Sequence, residues 1–385
     1  MNEKSNDKAG AHGLELGESK CLRNKSIKLG TNSPFLEAEP NNDQQKLFAT
    51  IRQLIMVVVI LVLALVGALF YLIKGHNASA NNNSTNISIS PAAETKTGID
   101  YWEAPRLSSI TDPARSALVK YGADLIAHTA KYLGPEGSIL QISNGMNCQN
   151  CHLDAGTKIY GNNFGSVAST YPSFKPRSGI IESTVFRVND CLKRSMNGKP
   201  LDSLSQEMKA ITAYFDFLGE GVPKGKKVIG SGLKDLPNLD RAADPGKGKV
   251  VFLLRCQVCH GENGQGQKLA GEKEYLFPPL WGDHSYNDGA GIFRISSFAK
   301  YVKYNMPKGT VFDAPVLSDE EAWDVAAFVN SQPRPHYDNK KDWPDISKKP
   351  ADYPFGPFKD SFSETQHKYG PFPPIIAAQK KQATK

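Results

Sequence analysis

The pattern Cys-x-x-Cys-His occurs twice in the chain, as Cys148-Gln149-Asn150-Cys151-His152 and as Cys256-Gln257-Val258-Cys259-His260. Where haem is attached covalently, each thiol of such a pattern adds to a vinyl group and the adjacent histidine ligates the iron. One spacing therefore serves attachment and axial ligation together. A chain with two such points is expected to fold as small units wrapped around flat apolar cofactors. Two Cys-x-x-Cys pairs also suffice for a zinc site with four thiolate ligands. That alternative leaves unexplained why a histidine follows each pair and why the pairs fall at corresponding places in a repeat. The expected cofactors are two covalent haem c groups, held by Cys148, Cys151 and His152 and by Cys256, Cys259 and His260.

The repeat is the main organisational signal. In the first copy, helical periodicity over Ala114 to Leu133 precedes the motif, and an aromatic Pro loop, Tyr171-Pro172-Ser173-Phe174, follows it. A helix from Leu204 to Leu218, with Met208, Ile211, Phe215 and Leu218 on one face, closes the unit. The second copy runs through a helix at Gly246 to Leu254, the loop Phe277-Pro278-Pro279-Leu280-Trp281-Gly282, and a closing helix opened by Ser318 and Glu321 as a capping box. This order predicts an all-α fold: two tandem cytochrome c domains with Pro-rich loops, preceded by one transmembrane helix.

The membrane expectation comes from the N-terminal part. Between Arg52 and Lys74 the chain is mostly apolar and carries no charged residue, and about 20 such residues are what a helix needs to cross the hydrocarbon core. A cleaved signal peptide is the alternative, but a long polar stretch precedes this segment and its apolar run exceeds the roughly 7–15 residues of a signal core. Lys20, Arg23, Lys25, Lys28, Lys46 and Arg52 precede the span, and only Lys74 follows it before Lys96. This bias puts the N-terminus in the cytoplasm. The expected location is the bacterial cytoplasmic (inner) membrane, single-pass, with the haem domains on the periplasmic or outer side. The expected organisation is 1–51 as a disordered cytoplasmic extension, 52–74 as the anchor, 75–100 as a flexible tether and 101–222 as the first cytochrome c domain. An interdomain linker at 223–244, the second cytochrome c domain at 245–336 and a Pro- and aromatic-rich tail at 337–385, expected to lie across the haem domains as ordered coil, complete it. The formal charge of +7 is spread over the chain without a dense basic stripe, which gives no support to nucleic-acid binding.

The distal iron ligands should lie well downstream of each motif. In the second domain Met306, in Tyr304-Asn305-Met306-Pro307-Lys308-Gly309-Thr310, is the candidate; a thioether raises the reduction potential and suits electron transfer. In the first domain Val188-Asn189-Asp190-Cys191-Leu192-Lys193-Arg194-Ser195-Met196 offers both Cys191 and Met196. An unpaired cysteine in an oxidising compartment is a hazard unless buried, paired or used, and the only other spare cysteine, Cys21, is expected across the membrane. Arg187, Lys193 and Arg194 would favour a thiolate at Cys191. Ligation by Cys191, ligation by Met196 and an inert buried thiol all remain open on the residues alone.

At these residues the chain resembles the diheme thiosulfate dehydrogenases. The likeness covers about Tyr101 to Pro335 and rests on the two attachment motifs, on Phe186 to Gly198 and on Asn305-Met306-Pro307-Lys308-Gly309-Thr310. It implies joining of two thiosulfates into tetrathionate at a haem ligated by His152 and Cys191, with Arg177, Arg187 and Ser195 holding the sulfur anion. Arg194 is a further cation for it. It implies His260 and Met306 on the second haem, with Lys308 as a possible switch ligand. The implied acceptor is a soluble cytochrome c or a terminal oxidase. The competing expectation is a pure electron-transfer cytochrome c relaying electrons from a quinol oxidoreductase to a terminal oxidase. A relay does not need an anion pocket beside a cysteine-ligated haem, so Cys191 and its arginines separate the two.

Overall fold

Asp112-Pro113 and Asp244-Pro245 open the two copies of the repeat in the same way. In the computed structural model, which describes residues 42–78, 99–268 and 270–383, Asp112 caps the helix Pro113–Ala127 by accepting from the Arg115 N–H. Asp244 caps Pro245–Arg255 by accepting from Gly246 and Lys247. Proline in the first turn lacks the N–H that would be left unbonded there. Each opening helix packs on the closing helix of its own copy, Gln206–Leu218 or Asp319–Ser331. A glycine makes each contact possible: a Cβ at Gly122 would stand 2.0 Å from the Ala210 carbonyl oxygen, and one at Gly248 would stand 1.8 Å from that of Asp324. Ser205 and Ser318 cap the closing helices, and the Ser318/Glu321 box forms as predicted.

Two hydrophobic cores result. The first gathers Val119, Leu125, Leu133, Met208, Ile211 and Phe215; the second gathers Phe252, Phe298, Trp323 and Val325. Both lie in one compact unit, residues 95–385. The all-α expectation holds apart from two small antiparallel hairpins, Ser173–Lys175 with Ile180–Glu182 and Gln267–Lys268 with Tyr275–Phe277.

Two local expectations change, for the first helix and for the tail. The predicted helix over 114–133 breaks at His128, and Thr129–Leu133 continues in a new direction. The interdomain segment 223–244 is irregular but packed, with Leu236 buried in the second core and the Pro237 carbonyl accepting from Trp323 Nε1 at 2.9 Å. The tail is not coil throughout. It forms the helices Glu364–Tyr369 and Pro373–Ala383, and Phe372 and Ile375 enter the second core, so that core extends past residue 336.

The N-terminal unit is separate, residues 1–94. Its helix Asn42–Ala78 runs through the whole of 52–74, and Ile51 to Leu65 are exposed along it. Side chains there are described only as far as Gly67, short of the ~20 apolar residues that a crossing starting near Leu54 takes. Among the described residues no helix is long and apolar enough to cross a membrane, so the anchor is not established by the structure. The extension before Asn42, Cys21 and most of the 75–100 tether lie outside the described residues.

Candidate functional site

The first attachment motif is fixed by the turn before it. Asn147 and Asn150 form a capping box around Cys148–Asn150, the Cys148 N–H donates to Thr129 Oγ1 at 3.0 Å, and Gln149 Nε2 donates to the Ala127 carbonyl at 2.6 Å. His152 donates from Nδ1 to the Asn162 carbonyl at 2.6 Å, which leaves Nε2 as the lone-pair nitrogen. Its ring stacks on Phe164 with centroids 4.4 Å apart. Burial pushes the His152 pKa down to about 4 against the opposing bond to Asn162, so the imidazole is neutral, as an iron ligand must be. Burial also pushes the Cys148 and Cys151 thiols up, to about 11 and about 12, and the Cys191 sulfur adds to both shifts.

The second motif repeats the arrangement. His260 Nδ1 donates to the Pro278 carbonyl at 2.8 Å, and burial lowers its pKa. Cys256, Cys259, His260 and Met306 line one cavity of about 700 Å³, which Cys151 and Met146 of the first domain also border. Met306 sits just beyond the helix Ile295–Asn305 in extended backbone, the conformation that a following proline favours. Lys308 borders the same cavity. These donors fit a haem bonded through Cys256 and Cys259, with His260 Nε2 and the Met306 sulfur available as axial ligands. In the first domain Cys148, Cys151, His152 and Cys191 offer the corresponding set. The zinc alternative has no counterpart: among the described residues no three His, Cys, Asp or Glu side chains converge as a metal site.

The two domains are physically linked. Tyr301, on the helix that leads to Met306, donates to the Asn150 carbonyl at 2.6 Å, and Asn305 Nδ2 donates to the Tyr160 carbonyl at 3.1 Å.

Cys191 stands on the helix Thr184–Arg194, capped by Ser183 accepting from Phe186 N–H at 3.1 Å. Helical spacing brings Arg187, Cys191 and Arg194 toward one side, and Ser195 follows as the C-cap. The hub that joins the cations is Asp190. Its Oδ2 accepts from Arg177 and, at 3.3 Å, from Arg187; its Oδ1 accepts from Arg194 Nε at 2.7 Å. Burial would raise the Asp190 pKa, but Arg177, Arg194 and Arg187 outweigh it and hold the carboxyl below its ordinary value. The Arg187 guanidinium is held charged first of all by the Cys191 sulfur. Its side chain is 40 % exposed, against 15 % for Arg177 and 9 % for Arg194.

The structure therefore divides the predicted cations. Arg187 is the open one beside Cys191, and Arg177 shares its carboxylate partner. Arg194, expected to face a sulfur anion, instead binds Asp342 through two bonds of 2.8 and 2.6 Å and the Gly289 carbonyl at 3.2 Å. Met196, the other ligand candidate, is 4 % exposed and packs in the first core. Sequence reading missed Asp190, although its spacing of three and four residues from Arg187 and Arg194 is the helical ion-pair signal. Burial raises the Tyr171 pKa, and Arg187, Glu182, Cys191 and Arg177 also act on it.

Both domains of the chain are similar to known proteins. The family described as SoxA/TsdA, cytochrome c domain, matches residues 140–223, and the cytochrome c family matches 246–333. A thiosulfate dehydrogenase of Stutzerimonas stutzeri (strain A1501) is 37 % identical over 238 residues, covering 62 % of this chain and 74 % of that protein. One of Psychrobacter arcticus is 36 % identical over 271 residues, covering 70 % and 79 %. Among solved structures, the as-isolated thiosulfate dehydrogenase (TsdBA) from Marichromatium purpuratum has a TM-score of 0.56 at 29 % identity. The match covers 61 % of this chain and 50 % of that one, so this chain spans about half its length. With two attachment motifs, two cytochrome c domains and these relatives, the chain belongs to the thiosulfate dehydrogenase family, as a cytochrome oxidoreductase with two covalently bound haem c groups.

Proposed function

We propose that this protein joins two thiosulfate dianions into tetrathionate at the first domain and delivers the two released electrons through the second to a soluble cytochrome c or a terminal oxidase. The names of the relatives support the substrate. The observation that carries the reading is Arg187: a half-exposed guanidinium held on Asp190, one helical turn before Cys191 on the same helix. When bound, the haems supply one-electron acceptance and relay, with His152 and Cys191 as ligands of the first and His260 and Met306 of the second. The protein's part is to bind and orient. Two dianions repel each other, and a guanidinium beside the reacting sulfur offsets that repulsion while its planar donors match sulfonate oxygens. Arg177, through the shared Asp190, and Ser195, one turn beyond Cys191, complete the proposed anion site. The bond formed is the central S–S bond, and the balance is two thiosulfates giving one tetrathionate and two electrons.

The proposal includes anchoring in the cytoplasmic membrane through 52–74, with the haem domains on the outer side. It rests on the uncharged apolar stretch and on the cations before it. The test of the anion site is Arg187→Ala in an assay of thiosulfate-dependent ferricyanide reduction. Losing one charge-assisted contact at a partly exposed site should cost about 1.5–3 kcal/mol in kcat/KM, mostly in KM. An unchanged KM would remove Arg187 from the site.

A further inference from the structure

Residues 334–385 lie beyond both family matches, yet part of this segment reaches the cation cluster of the first domain. Three guanidiniums, Arg177, Arg187 and Arg194, share two carboxylates, Asp190 and Asp342. Asp342 takes both terminal nitrogens of Arg194, at 2.8 and 2.6 Å, leaving that arginine only its Nε for Asp190 Oδ1. Asp190 Oδ2 is thereby left to Arg177 and Arg187. One residue on, the Trp343 N–H donates to the Arg177 carbonyl at 2.7 Å. Tyr353 holds Asp342 from behind, its hydroxyl donating to Oδ2 at 3.3 Å and its ring meeting Trp343 edge to face.

The segment is fastened to the second domain on both sides of these contacts. Asp288 accepts from the Tyr337 N–H at 2.7 Å, and Asp352 accepts from Arg294 Nε at 3.0 Å. We propose that Asp342 is a positioning residue for the anion site, acting through Arg194 and Asp190 on Arg177 and Arg187. This rests on the reading of that site as the place where thiosulfate binds. Without the Asp342 charge, the Arg194 fork turns to Asp190, takes both its oxygens and releases Arg177 and Arg187 from their fixed orientation. A second effect opposes this one: removing a carboxylate raises the net charge of the cluster by one, which attracts a dianion. Orientation dominates: the extra positive charge falls on arginines that have lost their carboxylate partner, and donors free to turn hold a dianion less well than donors fixed toward it.

The experiment uses the haem-loaded, full-length protein with thiosulfate as donor and ferricyanide as acceptor. Asp342→Asn should raise the KM for thiosulfate by about five- to twentyfold with kcat within about twofold, and Asp342→Glu should recover most of the loss. Tyr353→Phe, a milder change that removes only the hydroxyl, should raise KM by about two- to threefold. It decides the matter if Asp342→Asn does not fold. A KM that is unchanged, or that falls, in the folded variants overturns the proposal. Hydrogen exchange supplies a readout independent of turnover: in Asp342→Asn the amides of 184–194 should exchange faster while those of 319–331 do not. If the wild type does not turn over thiosulfate, the proposed activity fails, and exchange alone decides: unaltered protection of 184–194 overturns the positioning role.

Discussion

Replacing Arg194 with methionine separates a clamp from a substrate ligand. Methionine keeps an unbranched stem and removes every donor. The losses are the Nε bond to Asp190 Oδ1 at 2.7 Å, the two bonds to Asp342 at 2.8 and 2.6 Å, and the bond to the Gly289 carbonyl at 3.2 Å. The stacking of the guanidinium over Tyr337, 4.2 Å from the ring centroid, goes too. Asp190 keeps Arg177 and Arg187, but Asp342, 7 % exposed at its side chain, keeps the Tyr353 hydroxyl and, among the described residues, no ion-pair partner. Breaking a buried pair by removing one partner costs about 3–5 kcal/mol. For a large domain each kcal/mol lowers Tm by about 2–4 °C, so the expected drop is roughly 6–20 °C. Arg187→Met removes one half-exposed contact at 3.3 Å and should cost about 1 kcal/mol or less. The assay is thermal unfolding of the haem-loaded protein followed by circular dichroism. Melting of Arg194→Met within about 2 °C of wild type, with only KM altered, would refute the reasoning and return Arg194 to the substrate.

Two further outcomes follow from the attachment geometry. Cys148→Ser with Cys151→Ser should remove about half of the haem stain that survives denaturing electrophoresis; an unchanged stain would mean that this motif is not loaded. Met306→Ala should abolish a weak near-infrared sulfur-to-iron band of the ferric protein, and persistence of the band would move thioether ligation to Met196 or another methionine.

Much of the fold was legible because the repeat carries its own punctuation. The Ser318/Glu321 box marks a helix start in the sequence and forms in the structure. The apolar face of Met208, Ile211, Phe215 and Leu218 is buried as the periodicity requires. Local signals failed where long-range contacts decide. The helix over 114–133 breaks where the Ala130 N–H donates to the Asn147 side chain, a partner 17 residues on. The tail read as coil because its helices are short and lie among prolines, and only the second core shows why Phe372 and Ile375 order it. Within the site, the nearness of Arg187 to Cys191 was legible, because the two stand four residues apart. The fate of Arg194 was not, since Asp342 lies 148 residues away and nothing local points to it.

The central claim is that Cys191 and the arginine beside it make the first domain a site for sulfur chemistry rather than a relay. Cys191→Gly tests it most directly, because Cys191 belongs to neither attachment motif. The measurement is thiosulfate-dependent reduction of ferricyanide or cytochrome c by wild type and variant, with haem content determined in parallel and tetrathionate and sulfite as alternative substrates. Expected are turnover in the wild type and its near-complete loss in Cys191→Gly with both haems retained. Wild-type protein that exchanges electrons with small mediators but turns over none of the three sulfur compounds, or a variant as active as wild type, would contradict it.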